Sequence, residues 1–203
     1  VGGSGGGGHG SNSYRVELTI LAKALFTVQA SPCEGSTCMN PKSQLSPPIV
    51  LTFAASDPSG GAGIQADLMT LSSMGCHPLS VVTAITVQDT LGVEAVYPLD
   101  SEWVEDQARA VLEDMPVAAF KIGLVGSIEN ISVIAEIVSD YPDIPVLDPV
   151  LASGRGDELA TEEMLEAIRE LLLPQTTVLT PNSMEARRLA EEEEDEDVPD
   201  LPS

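Results

Sequence analysis

The sequence predicts an α/β domain with a largely parallel central sheet, and three observations carry that expectation. Apolar, often β-branched runs of strand length recur along the chain, and most end at a glycine, proline or aspartate. Between them lie stretches whose apolar residues repeat at helical spacing. The two patterns alternate instead of segregating, as in sheets whose strands are joined by crossover helices and covered on both faces. A chain of 203 residues is long enough for one such domain, and its hydrophobic share of 43% is ordinary.

Taken in order, Ile49 to Ala55 reads as a buried strand, and Asp57-Pro58-Ser59-Gly60-Gly61 as a turn. Ile64 to Met74 follows as a helix with Ile64, Leu68, Leu71 and Met74 on one stripe, stopped by Gly75. Leu79 to Val87 is a second strand, β-branched at Val81, Val82, Thr83, Ile85, Thr86 and Val87. Val93 to Tyr97 is a short strand. Asp100 or Ser101 caps the next helix, whose stripe is Trp103, Val104, Gln107, Ala108, Val111 and Leu112, with Trp103 as a packing residue. Ala118 to Leu124 is a strand, Ile131 to Ser139 a helix, and Ile144 to Leu147 a strand that delivers Asp148 to an edge. Ser153-Gly154-Arg155-Gly156 reads as a mobile loop. Thr161 caps a helix with Glu162 and Glu163 in its first turn and Leu165, Ile168 and Leu172 on its buried face. Thr176 to Thr180 is the last strand.

The flanks differ in composition. Residues 1–47 read as a linker or disordered segment: Val1 to Ser13 is mostly Gly and Ser, and Ser46-Pro47-Pro48 closes the stretch. Leu18 to Val28 has the composition of a signal-peptide core, but Lys23 interrupts it and only Arg15 precedes it with positive charge. Cys33 and Cys38 could bind metal with His9, although no second pair stands nearby; free thiols are the plainer reading. Residues 191–203 hold eight acids and two prolines and read as a disordered acidic tail. The domain proper is 48–190.

Charge and cysteine count narrow the function. With 32 acidic residues against 9 Lys plus Arg, the net charge is −23, which repels phosphate backbones and argues against nucleic-acid binding. No apolar run is long enough to span a bilayer. Three cysteines make no even framework, which points to a reducing compartment, the cytoplasm.

Four ordered pieces carry a family resemblance: Ser56-Asp57-Pro58-Ser59-Gly60-Gly61-Ala62-Gly63-Ile64-Gln65-Ala66-Asp67-Leu68 with Thr83-Ala84-Ile85-Thr86-Val87-Gln88-Asp89-Thr90; Lys121-Ile122-Gly123-Leu124; Leu147-Asp148-Pro149-Val150; and Thr180-Pro181-Asn182-Ser183-Met184-Glu185-Ala186. Together they resemble the hydroxymethylpyrimidine and phosphomethylpyrimidine kinases of thiamine biosynthesis, in the ribokinase-like superfamily. The resemblance implies a three-layer ribokinase-like sandwich, ATP and Mg²⁺ as cofactors, and a small aminopyrimidine substrate. It leaves homodimerisation open.

By that resemblance the substrate-binding residues are Gln88, Asp67, Ala62, Gly63, Ala55, Leu124 and Val150. Gln88 would read the pyrimidine, since a carboxamide offers an acceptor and two donors; a solvated strand end is its plain alternative. Asp67 would sit near the substrate hydroxymethyl group, or simply complement a helix dipole. Ala62 and Gly63 are small enough for backbone N–H groups to approach a ligand. Leu124 and Val150 would be apolar walls. Asn182, Glu185 and Asp148 would organise phosphate and magnesium, mostly through water. Read without the family, Asn182 and Glu185 match a helix-capping arrangement and Asp148 a turn. Two positions depart from the family pattern: Ala55 replaces a glycine and Asp89 an asparagine.

A rival exists at the glycine loop. Gly61 to Ala66 satisfies the G-x-G-x-x-A dinucleotide fingerprint, with Asp89 as the ribose acid of an NAD-binding oxidoreductase. Against it, Ser56 to Gly60 separate the fingerprint from its strand, and Asp89 lies beyond the usual offset of about 20 residues. No Gly-Lys-Ser/Thr follows, so the loop is not a P-loop. A pyridoxal-type kinase and a non-catalytic ligand-binding remnant also remain open. The family's Gly-Thr-Gly-Cys loop, which carries the anion hole and candidate base, has no match here, so the resemblance implies a copy without its C-terminal third. The isolated 203-residue chain is therefore expected to show little kinase activity in a coupled ATP assay; robust turnover would overturn that expectation.

Overall fold

The computed structural model describes residues 46–141, 145–152 and 158–190. The expected loop Ser153 to Gly156, the acidic tail and nearly all of the N-terminal segment lie outside them. The strands are β1 (Ile49–Ser56), β2 (His77–Gln88), β3 (Val93–Pro98), β4 (Ala119–Ile122), β5 (Pro145–Leu147) and β6 (Val178–Leu179). They form one sheet in the order β3-β2-β1-β4-β5-β6, with β2–β3 antiparallel and every other pairing parallel.

Strand β1 lies between β2 and β4 and is buried from Val50 to Ala55. A strand covered on both faces needs an unbroken apolar run, which is what this sequence supplies. Helices α1 (Gly63–Ser73), α2 (Ser101–Leu112), α3 (Ile128–Ser139), α4 (Glu162–Ala167) and α5 (Ser183–Ala190) join them, with α4 continued by a π-helical turn over Ile168–Leu172 and a 3-10 turn over Leu173–Gln175. The larger core joins Leu51, Phe53, Phe120 and Ile122 of the sheet to Val104 of α2, Ile131 and Ile134 of α3 and Leu165 of α4. Across the sheet, Leu71 of α1 packs with Val50, Ala119 and Val146 in a smaller cluster. These are the three layers of the sandwich, with α1 the described helix on its thinner side.

Local signals explain most boundaries. Asp100 accepts a hydrogen bond from Glu102 N and caps α2, and Thr161 accepts one from Met164 N and caps α4. Gly75, with φ of 79°, ends α1. Three expectations need correction. Trp103 is 61% exposed, because the buried stripe of α2 centres on Val104 and Ala108, one helical step away. Helix α3 starts at Ile128, before the expected Ile131, since Ser127 caps it by accepting from Asn130 N. The strands expected over 118–124 and 176–180 pair only over Ala119–Ile122 and Val178–Leu179.

Two buried polar contacts fix the loop after β4. Thr83 Oγ1 donates to Leu124 O at 2.6 Å. Asn130 Nδ2 lies within hydrogen-bonding distance of Thr83 O, Leu99 O and Val125 O, which ties α3 to β2, to the segment just after β3 and to that loop.

The link from β1 into α1 has the least freedom. Gly63 adopts φ of 58°, and a Cβ there would stand 2.4 Å from Ala55 O and 3.3 Å from Asp57 N. Both the conformation and the space demand glycine. Gly63→Ala is expected to destabilise the domain by about 2–4 kcal/mol, read as a lower urea midpoint; an unchanged midpoint would show that the link relaxes freely.

Candidate active site

Parallel pairing brings the carboxyl ends of β1, β2, β4, β5 and β6 to one edge of the sheet. Ligands of open α/β sheets bind at that edge. There stand the glycine loop after β1, Gln88 at the end of β2, Leu124 after β4, Asp148 and Val150 after β5, and Asn182 with Glu185 after β6.

The glycine loop is tied down from within. Asp57, only 2% exposed, accepts from Ser59 N at 2.8 Å, Ser59 Oγ at 3.0 Å and Ala62 N at 2.7 Å. Gln65 Oε1 accepts from Asp57 N at 2.8 Å. The Ala62 N–H is therefore engaged with the protein itself, and the small size of Gly63 serves the contact with Ala55 O. Ala55 is fully buried beneath the loop. The sequence reading took Asp57 as turn punctuation; it is the residue that closes the loop.

The strongest electrostatic feature is one that sequence reasoning passed over. Lys121, in the middle of β4, sends its Nζ to Asp67 Oδ2 of α1 at 3.1 Å and to Asp148 Oδ2 after β5 at 3.2 Å. Thr52 Oγ1, from the position of β1 paired with Lys121, donates to the same Asp67 oxygen at 2.7 Å. Burial, the largest influence, lowers the Lys121 pKa, but the charges and hydrogen bonds of Asp67 and Asp148 together outweigh it and raise the pKa above the ordinary lysine value. Stabilisation from a raised lysine pKa is complete below about 10.5 and lost only as pH climbs through the folded value, so Lys121 is charged at neutral pH. The signal was a lysine inside a buried strand, which requires a carboxylate partner.

Asn182 and Glu185 form a reciprocal cap. Asn182 Oδ1 accepts from Met184 N at 2.8 Å and Glu185 N at 3.0 Å, while Glu185 Oε2 accepts from Asn182 N at 2.8 Å. Burial pushes the Glu185 carboxyl above its ordinary range and the charge of Asp148 adds to this, against hydrogen bonds from the Asn182 and Leu151 backbones. No cluster of three or more His, Cys, Asp or Glu side chains is poised as a metal cage among the described residues. Asp148 and Glu185 nevertheless leave neighbouring negative charge at the edge, which fits a hard cation that keeps most of its waters.

Gln88 is half-buried. Thr86 Oγ1 donates to Ser56 O at 2.6 Å and lies 3.2 Å from Gln88 Oε1, so the carboxamide is joined to the end of β1. An open depression of about 390 Å³ lies at the β2–β3 turn, with Gln88 and Val87 in its wall; Gly61 does not line it. Asp89 Oδ1 accepts from Leu91 N and Gly92 N and so holds that turn. Leu124 and Val150 are half-buried at the edge.

Among the described residues, no helix is long and apolar enough to cross a membrane. The model of the phosphomethylpyrimidine kinase family matches residues 57–201. A hydroxymethylpyrimidine/phosphomethylpyrimidine kinase of Streptomyces coelicolor is 44% identical over 149 residues, covering 73% of this chain and 55% of that protein. The crystal structure of a phosphomethylpyrimidine kinase from Clostridium difficile 630 superposes with a TM-score of 0.66 at 45% identity, covering 70% of this chain and 62% of that one. A Staphylococcus aureus pyridoxal kinase, in complex with AMP-PCP and pyridoxal, gives a TM-score of 0.61 at 36% identity, covering 70% and 51%. The chain spans about half the length of the relatives it matches in sequence.

The raised Glu185 pKa has a consequence for stability. A carboxyl that holds its proton more tightly when folded stabilises below its ordinary pKa of 4.5, and loses that contribution as pH rises through the folded value. Between about pH 4 and about pH 7, the stability of Glu185→Gln relative to wild type is expected to shift in the variant's favour. Urea titrations at both pH values read the difference; a constant difference would refute it.

Proposed function

Since this chain belongs to the phosphomethylpyrimidine kinase family, we propose that it binds 4-amino-5-hydroxymethyl-2-methylpyrimidine and its monophosphate, and that the protein phosphorylates both in thiamine biosynthesis. The kinase domain in this reading is 48–190, and the compartment is the cytoplasm. The observation that carries it is the presence of Asp67 and Gln88 beside neighbouring parallel strands that end at one edge, around a tightly held glycine loop.

Each residue has a task that its chemistry suits. Gln88 pairs with the exocyclic amine and adjacent ring nitrogen of the aminopyrimidine. Asp67 accepts from the hydroxymethyl group and orients its oxygen. Gly63 and Ala62 bring the loop close, while Ala55, Leu124 and Val150 bound the ring. Asp148 faces the phosphate path, and Asn182 and Glu185 support the magnesium end, mostly through water. ATP with Mg²⁺, when bound, would supply the γ-phosphoryl group and the charge neutralisation that such transfers need.

Pyridoxal is the second reading, supported by the likeness to pyridoxal kinases. Calorimetry separates the two: the 203-residue chain is expected to prefer hydroxymethylpyrimidine to pyridoxal, and Gln88→Leu to bind the pyrimidine at least about tenfold more weakly, or about 1.4 kcal/mol. Equal affinity of wild type and Gln88→Leu would remove Gln88 from the site. We also propose a homodimer formed through the exposed apolar row Ile85, Val87 and Tyr97 on the β2–β3 hairpin. Light scattering is expected to give twice the 21.3 kDa chain mass, and Val87→Lys to reduce it to one; a wild-type monomer would refute the pairing.

A further inference from the structure

We infer that Lys121 is a positioning residue for the alcohol-binding end of the site: with Thr52 it occupies Asp67 Oδ2 and leaves Asp67 Oδ1 as the oxygen that meets the substrate hydroxyl. The inference rests on the pyrimidine-kinase reading and assigns a role to a residue outside it.

The geometry is specific. Both bonds to Asp67, from Thr52 Oγ1 at 2.7 Å and from Lys121 Nζ at 3.1 Å, fall on Oδ2. Asp148 likewise meets the ammonium through its Oδ2, at 3.2 Å. Among the described residues, Oδ1 of each carboxylate has no hydrogen-bond partner, and neither is a fully enclosed orphan. One ammonium thus meets one oxygen of each of two carboxylates from different elements, and among the described residues the other oxygen of each has no hydrogen-bond partner. In this proposal the Asp67 oxygen serves the substrate hydroxyl; Asp148 is near enough to Glu185 for its charge to raise the Glu185 pKa.

The ammonium has little room to wander. A Cβ on Gly123 would lie 2.7 Å from Lys121 Nζ, so the side chain is packed directly over the Gly123 backbone. Stability alone gives weak reason for such an arrangement, because apolar packing commonly replaces a buried ion pair without loss. Two acids held by one base are instead what preorganises acceptors for a polar ligand.

The test is calorimetric, on the 203-residue chain, with 4-amino-5-hydroxymethyl-2-methylpyrimidine and the 5-methyl analogue that lacks the hydroxyl. Wild type is expected to prefer the hydroxymethyl compound by about tenfold or more, as a hydrogen bond to an ionised acceptor provides. Lys121→Met should reduce the preference below about threefold, and Thr52→Val should lower it as well. A merely structural lysine would weaken both ligands equally and keep the ratio, which would overturn the inference while sparing the pyrimidine reading. Wild type that binds both compounds equally would do the same. Wild type that binds neither would sink the pyrimidine reading, and this inference with it. If circular dichroism shows Lys121→Met unfolded, Thr52→Val decides: an unchanged ratio overturns the role, a diminished one supports it.

Discussion

Parallel pairing of β1 with a partner on each side is the constraint on which the rest of this structure depends. It buries the strand on both faces and explains the apolar run from Val50 to Ala55. It also forces the neighbouring strands to end at the same edge, so residues far apart in sequence arrive together there. The return from β1 into α1 then sets the position of Asp67, and the tight approach of Gly63 to the Ala55 carbonyl leaves that return little latitude. Fold and candidate site are therefore one arrangement, fixed by the same few contacts.

Electrostatics works against a molecule with so many acids, and the edge shows how local order is kept. Asp57 is satisfied by backbone and hydroxyl donors, and Asp67 and Asp148 share one lysine. Glu185 accepts from Asn182 N, while burial raises its pKa. The means follow the available partners: loop donors at the first, a shared strand lysine at the next two, and a backbone amide at the last.

Much of this was legible in the sequence. The length and β-branching of the runs gave the strands, and Gly75, Asp100 and Thr161 marked helix ends by ordinary capping chemistry. The family motifs fall at the carboxyl ends of the parallel strands and in the loops that follow them. What escaped notice was mostly polar and buried. Asn130 reads as an unremarkable early helix residue, yet its amide ties together a strand and two connecting segments; without knowing which carbonyls lie nearby, no local pattern reveals it. Lys121 carried a visible clue, a charge within an apolar strand, whose partners come from two other elements. Trp103 misled because size suggested packing where the helical phase turned it outward.

The seclusion of the Lys121 ammonium separates it from the outer surface in one further respect. Counter-ions screen exposed charges over roughly 8 Å at physiological ionic strength, and buried ones far less. Exterior pairs such as Arg188 with Glu158 therefore weaken as salt is added, and the repulsion among surface acids fades with them. The contacts of Lys121 with Asp67 and Asp148 are largely sheltered from that medium. The interior alignment of this edge is thus decoupled from the salinity around a strongly anionic protein.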